Sequence, residues 1–109
     1  MEINRILLLS AAITIPQLAT AKLPFAIDEF AKVERTLGFC SELNPESAAK
    51  YQEMAKRYVE NVPERELAEA RNTPEYKEAY ESNGALLADM PKEHVIEACN
   101  AFLKAKDLR

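Results

Sequence analysis

The sequence predicts an all-α fold: a small bundle of four or five short helices with one disulfide joining the first helix to the last. Glycine is rare, with 2 in 109 residues, while Ala, Glu, Lys and Leu abound, a composition that favours helices and leaves strands few turns. Apolar residues recur at helical spacings of three and four. Proline, which is tolerated in the first turn of a helix, recurs at intervals of one helix each, at Pro24, Pro45, Pro63, Pro74 and Pro91.

The first helix is predicted after Pro24. Its apolar residues are separated by four, three, four and three positions, which puts them on one stripe of the helix surface. This spacing places Cys40 on the buried face. The stripe consists of Ala26, Phe30, Val33, Leu37 and Cys40.

A second helix is predicted to start at Asn44, as the cap, with Pro45 in the first helical position. Its opposite face pairs acidic and basic residues four positions apart, which is typical of a face in contact with water. The apolar stripe consists of Ala48, Tyr51, Ala55, Tyr58 and Val62.

Two further helices are predicted in the middle of the chain. Pro63 begins a short one, whose acidic first turn and terminal Arg71 suit the helix dipole and which Leu67 anchors. The sequence Thr73-Pro74-Glu75 begins the next. Asn83-Gly84 predicts a kink or an end in that helix.

The last helix is predicted to follow Asp89-Met90-Pro91. Cys99 lies on its apolar stripe, so a Cys40–Cys99 disulfide would cross the core from the first helix to the last. Closing a loop of about 60 positions stabilises a domain by roughly 4 kcal/mol in the chain-entropy model. The stripe consists of Val95, Ile96, Cys99, Phe102 and Leu103.

The first 21 residues have the features of a secretory signal peptide. Arg5 precedes the apolar run 6–15, and Ala19-Thr20-Ala21 gives the small residues that signal peptidase requires. Cleavage after Ala21 leaves residues 22–109 as a single helical domain. The run is too short to span a bilayer, so no stable membrane anchor is expected after cleavage and the protein is predicted to be periplasmic or secreted.

Two alternatives remain open for this segment. Residues 6–15 would form either a buried core helix or an uncleaved anchor, and Glu2 weakens the positive charge that a signal peptide carries before its apolar run. Export nevertheless agrees with the cysteine content, because two cysteines in an oxidising compartment are expected to pair.

Charge and residue content exclude several function classes. The net charge of -4 argues against nucleic acid and anionic membranes as partners. The chain has one histidine and no tryptophan, so we expect no catalytic residues, no cofactor and no metal, and hence no enzyme. The specific alternatives are a copper site of Met90, His94 and Met54, and a nucleophilic pair of His94 with a free cysteine.

The four tyrosines lie in the second and fourth predicted helices and are expected to pack in the core, with a binding groove as the alternative. They are Tyr51, Tyr58, Tyr76 and Tyr80.

The leading functional hypothesis is a non-enzymatic exported protein that binds a protein partner through its acidic helical surface. In size, helix order and its one long-range bridge the chain resembles small disulfide-bridged helical immunity and inhibitor proteins of bacteria. An acidic binder is expected to meet a basic partner, such as a cell-wall hydrolase, because complementary charge speeds the encounter. In size and single disulfide the chain is also similar to acid-activated periplasmic chaperones, which gives the second hypothesis. A metal carrier or an enzyme is the third.

Overall fold

Five α-helices joined by short turns form the computed structural model, which describes residues 23–105 and residue 108. No strand occurs in these residues, so the predicted all-α class is confirmed. The predicted signal peptide and its cleavage after Ala21 lie outside the described residues. The helices are α1 (Ile27–Leu43), α2 (Ala48–Tyr58), α3 (Glu64–Arg71), α4 (Pro74–Asp89) and α5 (Lys92–Lys104).

The helices begin close to the prolines, as predicted. Pro74 is the first residue of α4, and the Thr73 hydroxyl accepts a hydrogen bond of 3.1 Å from the Tyr76 amide. Pro63 and Pro91 directly precede α3 and α5. The prediction that Asn44 caps the second helix is only partly correct. A 3-10 turn, Pro45–Ser47, lies between Asn44 and α2, and the Asn44 side chain makes no capping hydrogen bond.

Helix α1 is the centre of the bundle. It contacts each of the other four helices and packs most extensively against α4, then α2. Helices α3 and α5 lie near opposite ends of α1, and each contributes to a separate group of buried side chains. The α3 cluster consists of Phe30, Ala31, Tyr58, Leu67, Ala70 and Tyr76. The α5 cluster consists of Leu37, Cys40, Tyr51, Leu87, Val95 and Cys99.

The predicted disulfide is present. It joins Cys40 of α1 to Cys99 of α5, the first and last described helices, with the two Cα atoms 5.6 Å apart. Both residues are buried in the α5 cluster. Since both cysteines are bonded, neither is a free thiol, and the predicted alternative of a cysteine nucleophile paired with His94 is wrong.

The sequence predicts a kink or an end at Asn83-Gly84. The helix does not end there, because α4 continues through both residues to Asp89. The Asn83 amide nitrogen donates to the Thr36 hydroxyl at 2.9 Å. A Cβ atom on Gly84 would lie 2.7 Å from Nε of Arg35. The two residues therefore mark the close approach of α4 to α1.

None of the helices within the described residues is both long enough and apolar enough to cross a bilayer.

Candidate functional site

The outward side of α4 concentrates charge of one sign. We call the exposed residues Glu75, Glu78, Glu81, Leu86 and Asp89 the acidic face. In the described part of the chain none of its four carboxylates forms an ion pair. Its apolar member Leu86 is 59% exposed, more than any other large apolar side chain among the described residues.

This arrangement works against the stability of α4 itself. Glu78 lies three residues from both Glu75 and Glu81, and like charges at that spacing destabilise a helix by a few tenths of a kcal/mol per pair. Most of the Leu86 side chain stays in water, so it adds little to the stability of the isolated protein. Of the four carboxylates only Glu75, in the first turn, suits the helix dipole, and the face is therefore the leading candidate for a binding surface.

A second polar feature ties three helices together. Glu34 of α1 accepts two hydrogen bonds from the Arg71 guanidinium of α3, at 2.9 and 2.7 Å, and one of 2.5 Å from the Tyr76 hydroxyl of α4. The Arg71 guanidinium also lies over the Phe30 ring, 5.2 Å from its centroid. These contacts close one side of the α3 cluster.

The surroundings shift the proton equilibria of both donors in this network. Burial is the main reason that the pKa of Tyr76 is raised, and its hydrogen bond to Glu34 adds to the effect. The hydrogen bond to Glu34 is the main reason that the pKa of Arg71 is raised. Both groups are therefore held in their protonated forms as hydrogen-bond donors to one carboxylate, an arrangement that stabilises structure.

A second arginine meets aromatic rings at the junction of α1 and α4. Cζ of Arg35 lies 5.5 Å from the Phe39 ring centroid and 5.4 Å from that of Tyr80. Arg35 and Tyr80 line a shallow pocket with Glu81, Gly84 and Ala85. The tyrosine prediction is confirmed for Tyr51, Tyr58 and Tyr76, which are buried, whereas Tyr80 borders this pocket.

A groove of about 570 Å³ lies between α2 and the chain around the end of α5. These two helices both pack on α1 but make few contacts with each other, which leaves the groove open. Its described lining includes two basic residues, Lys50 and Arg57, and two acidic residues, Glu53 and Glu60. The described lining therefore carries no excess of one charge, unlike the acidic face.

The residues of the predicted copper site occupy different surroundings. His94 is exposed in the first turn of α5, whereas Met54 and Met90 pack partly buried against the α5 cluster. The described residues contain no group of three or more His, Cys, Asp or Glu side chains placed to hold a metal ion.

The Glu34, Arg71 and Tyr76 network was not predicted from the sequence, because its partners are 37 and 42 positions apart. The exposure of Leu86 was also missed. One signal for it was available: Leu86 and Leu87 are adjacent in a helix, so they point about 100° apart and only one faces the core.

Comparison of the chain with protein-family models, with curated proteins and with solved structures found no match.

Proposed function

We propose that this is an exported, non-enzymatic protein that binds a basic partner protein through the acidic face of α4. The observation that carries the proposal is the acidic face itself: four carboxylates without ion pairs among the described residues, and one exposed leucine, on the outward side of α4. Such a surface is complementary to a partner that presents lysine and arginine around an apolar depression.

The dimensions of α4 suit a protein partner. Sixteen residues span about 24 Å at 1.5 Å per residue, comparable to one side of a standard protein interface. The carboxylates would speed the encounter with a basic surface and orient the partner protein as it approaches. Leu86 would then lose its exposed surface on binding, and a buried apolar anchor contributes more affinity than charges at the rim.

Export is supported by the disulfide together with the signal-like first 21 residues. Structural disulfides form and persist in oxidising compartments such as the periplasm and the extracellular medium. We place the protein in the bacterial envelope or beyond it, where immunity and inhibitor proteins meet basic enzymes. This placement fits a binding role for an acidic surface.

The test compares two charge-reversal variants with equal net charge. The face variant carries Glu75→Lys, Glu78→Lys and Asp89→Lys, and Leu86→Ala is made separately. The control carries Glu42→Lys, Glu69→Lys and Glu97→Lys, which alter three exposed carboxylates on α1, α3 and α5. Thermal melts confirm that each variant is folded.

Each purified protein carries a photo-crosslinker at position 82, on the outer side of α4, and is mixed with envelope extract at low and high salt. We expect wild type and control to crosslink to the same basic protein at low salt. The face variant should lose about tenfold or more of this product, since close charge pairs contribute more than 1 kcal/mol each. Leu86→Ala should reduce the amount of the crosslinked product at both salt concentrations. Equal crosslinking by the face variant and the control, or no specific product at low salt, would overturn the proposal.

A further inference from the structure

We propose that Arg35 is the anchor of a binding site for a carboxylate group, in the shallow pocket between α1 and α4. The guanidinium lies near two aromatic rings, those of Phe39 and Tyr80, at 5.5 and 5.4 Å from Cζ to the ring centroids. Both distances are within the range of cation–π attraction. The rings therefore fix the position of the guanidinium, so that less side-chain entropy is lost when a ligand binds.

Gly84 provides the space for this arrangement. The backbone conformation at Gly84 does not require glycine, because no described glycine has a positive φ. A glycine inside a helix also makes the helix less stable than an alanine would. A Cβ atom at this position would lie 2.7 Å from Nε of Arg35 and 3.5 Å from Nη2. Gly84 therefore lets α4 approach the Nε side of the guanidinium closely and occupies that edge, so the terminal nitrogens Nη1 and Nη2 are the donors left for a ligand.

Arg35 is partly exposed and has no protein partner in the part of the chain that the structure describes, where it forms neither an ion pair nor a hydrogen bond. Arg71 is the internal comparison: it also lies over an aromatic ring, that of Phe30, but it donates two hydrogen bonds to the Glu34 carboxylate. Arg35 is likewise a guanidinium beside aromatic rings, but its Nε edge faces Gly84 and no described carboxylate pairs with it.

The charges around the pocket select the kind of anion. Glu81 lines the pocket together with Arg35, and the rest of the acidic face lies on the same helix. A doubly charged phosphate is repelled more strongly by these carboxylates than a singly charged group. A planar carboxylate also matches the paired donors of a guanidinium. Because the pocket is open, the carboxylate belongs either to a small acid or to the end of a peptide.

The binding test follows the Nη–H and Cζ signals of the Arg35 guanidinium by NMR in the purified full protein. The probes are acetate, the tripeptide Ala-Ala-Ala with a free carboxyl terminus, the same tripeptide with an amidated terminus, and inorganic phosphate. We expect a saturable shift with a carboxylate probe, with a Kd on the order of 10 mM, since hydrogen bonds between charged groups contribute about 1.5–3 kcal/mol. Saturation by acetate assigns the site to small acids. Saturation by the free tripeptide alone assigns it to peptide ends.

Gly84→Ala is the decisive variant, because its methyl group would displace Arg35 while alanine favours the helix. We expect it to melt at or above the wild-type temperature and yet to weaken carboxylate binding about tenfold, as should Arg35→Lys, which lacks the planar donor pair. Arg65→Lys, at an exposed arginine on α3, is the matched control and should bind as wild type does.

Three results would overturn the proposal: no saturable shift with either carboxylate, an equal shift with the amidated tripeptide, or tighter binding of phosphate. Unchanged binding by Gly84→Ala would also contradict it. These probes need no protein partner, so the outcome does not depend on the crosslinking test of the acidic face.

Discussion

Removing the Glu34 carboxylate is the most informative perturbation of the fold. Glu34→Ala deletes the acceptor of three hydrogen bonds and leaves the Arg71 guanidinium unpaired over Phe30 and the Tyr76 hydroxyl without a partner. Helix propensity does not oppose the change, since alanine is the best helix former. The loss of stability therefore measures what the network contributes to holding α1, α3 and α4 together.

The magnitude follows from the exposure of the two charged groups. The side chains of Glu34 and Arg71 are 20% and 39% exposed, so their ion pair is partly screened and contributes about 1 kcal/mol, the upper end of the range for surface pairs. The bond from the more buried Tyr76 hydroxyl adds about 1 kcal/mol. We therefore expect Glu34→Ala to lower the free energy of unfolding by about 2 kcal/mol, or the melting temperature by roughly 8 to 16 °C for a domain of this size.

Urea unfolding followed by far-ultraviolet circular dichroism measures this free energy. A double-mutant cycle with Arg71→Ala should give a coupling energy of about 1 kcal/mol, because the two residues form one pair. Glu69→Ala, at an exposed carboxylate on α3, should change stability by less than about 0.5 kcal/mol. The reasoning is refuted if Glu34→Ala costs no more than Glu69→Ala, or if the coupling energy is zero.

Three further predictions concern the core. Burial and the hydrogen bond to Glu34 raise the pKa of Tyr76 above its ordinary value of 10.0. The unfolded chain therefore loses this proton first, and the stability of the protein should fall as the pH rises above about 10. Thermal melts from neutral to alkaline pH should show that Tyr76→Phe loses less stability at alkaline pH than the wild type does. Removing the disulfide with Cys40→Ala and Cys99→Ala should cost about 4 kcal/mol, and hydrogen exchange should show α5 losing protection before α1 and α4. The buried Tyr51 hydroxyl has no hydrogen-bond partner among the described residues. Tyr51→Phe should therefore leave the free energy of unfolding in urea unchanged or raise it by about 1 kcal/mol. A decrease of more than about 1 kcal/mol would contradict this prediction.

Local patterns were sufficient to predict much of this bundle. The stripe that contains Phe30, Leu37 and Cys40 is recognisable from spacing alone, because a helix places residues three and four apart on one face. The same spacing put Cys99 on the buried side of the last helix. Two cysteines on apolar stripes then predicted the bridge that the structure contains.

Contacts between distant residues were beyond these patterns. The sequence around Asn83 and Gly84 suggested an interruption, yet both residues serve the packing of α4 on α1: one donates to Thr36 and the other leaves space for Arg35. Neither contact is visible before the helices are placed side by side. The Glu34 network was missed for the same reason, since its geometry exists only once three helices have assembled.

The acidic face is an intermediate case. Its carboxylates are apparent in the sequence, but only the structure shows that Leu86 is exposed among them while Leu87 is buried. Four carboxylates without ion pairs among the described residues, on the same side of α4 as this leucine, make the face a candidate binding surface.

The proposed role depends on the chain working outside the cytoplasm, and the intact mass of the protein recovered from the medium or periplasm of expressing cells tests this most directly. We predict a chain that lacks residues 1–21 and is lighter than its reduced form by two hydrogen atoms, because Cys40 and Cys99 are oxidised. Recovery of the full-length chain only from the cytoplasm, with both thiols free to react with an alkylating reagent, would contradict the proposal.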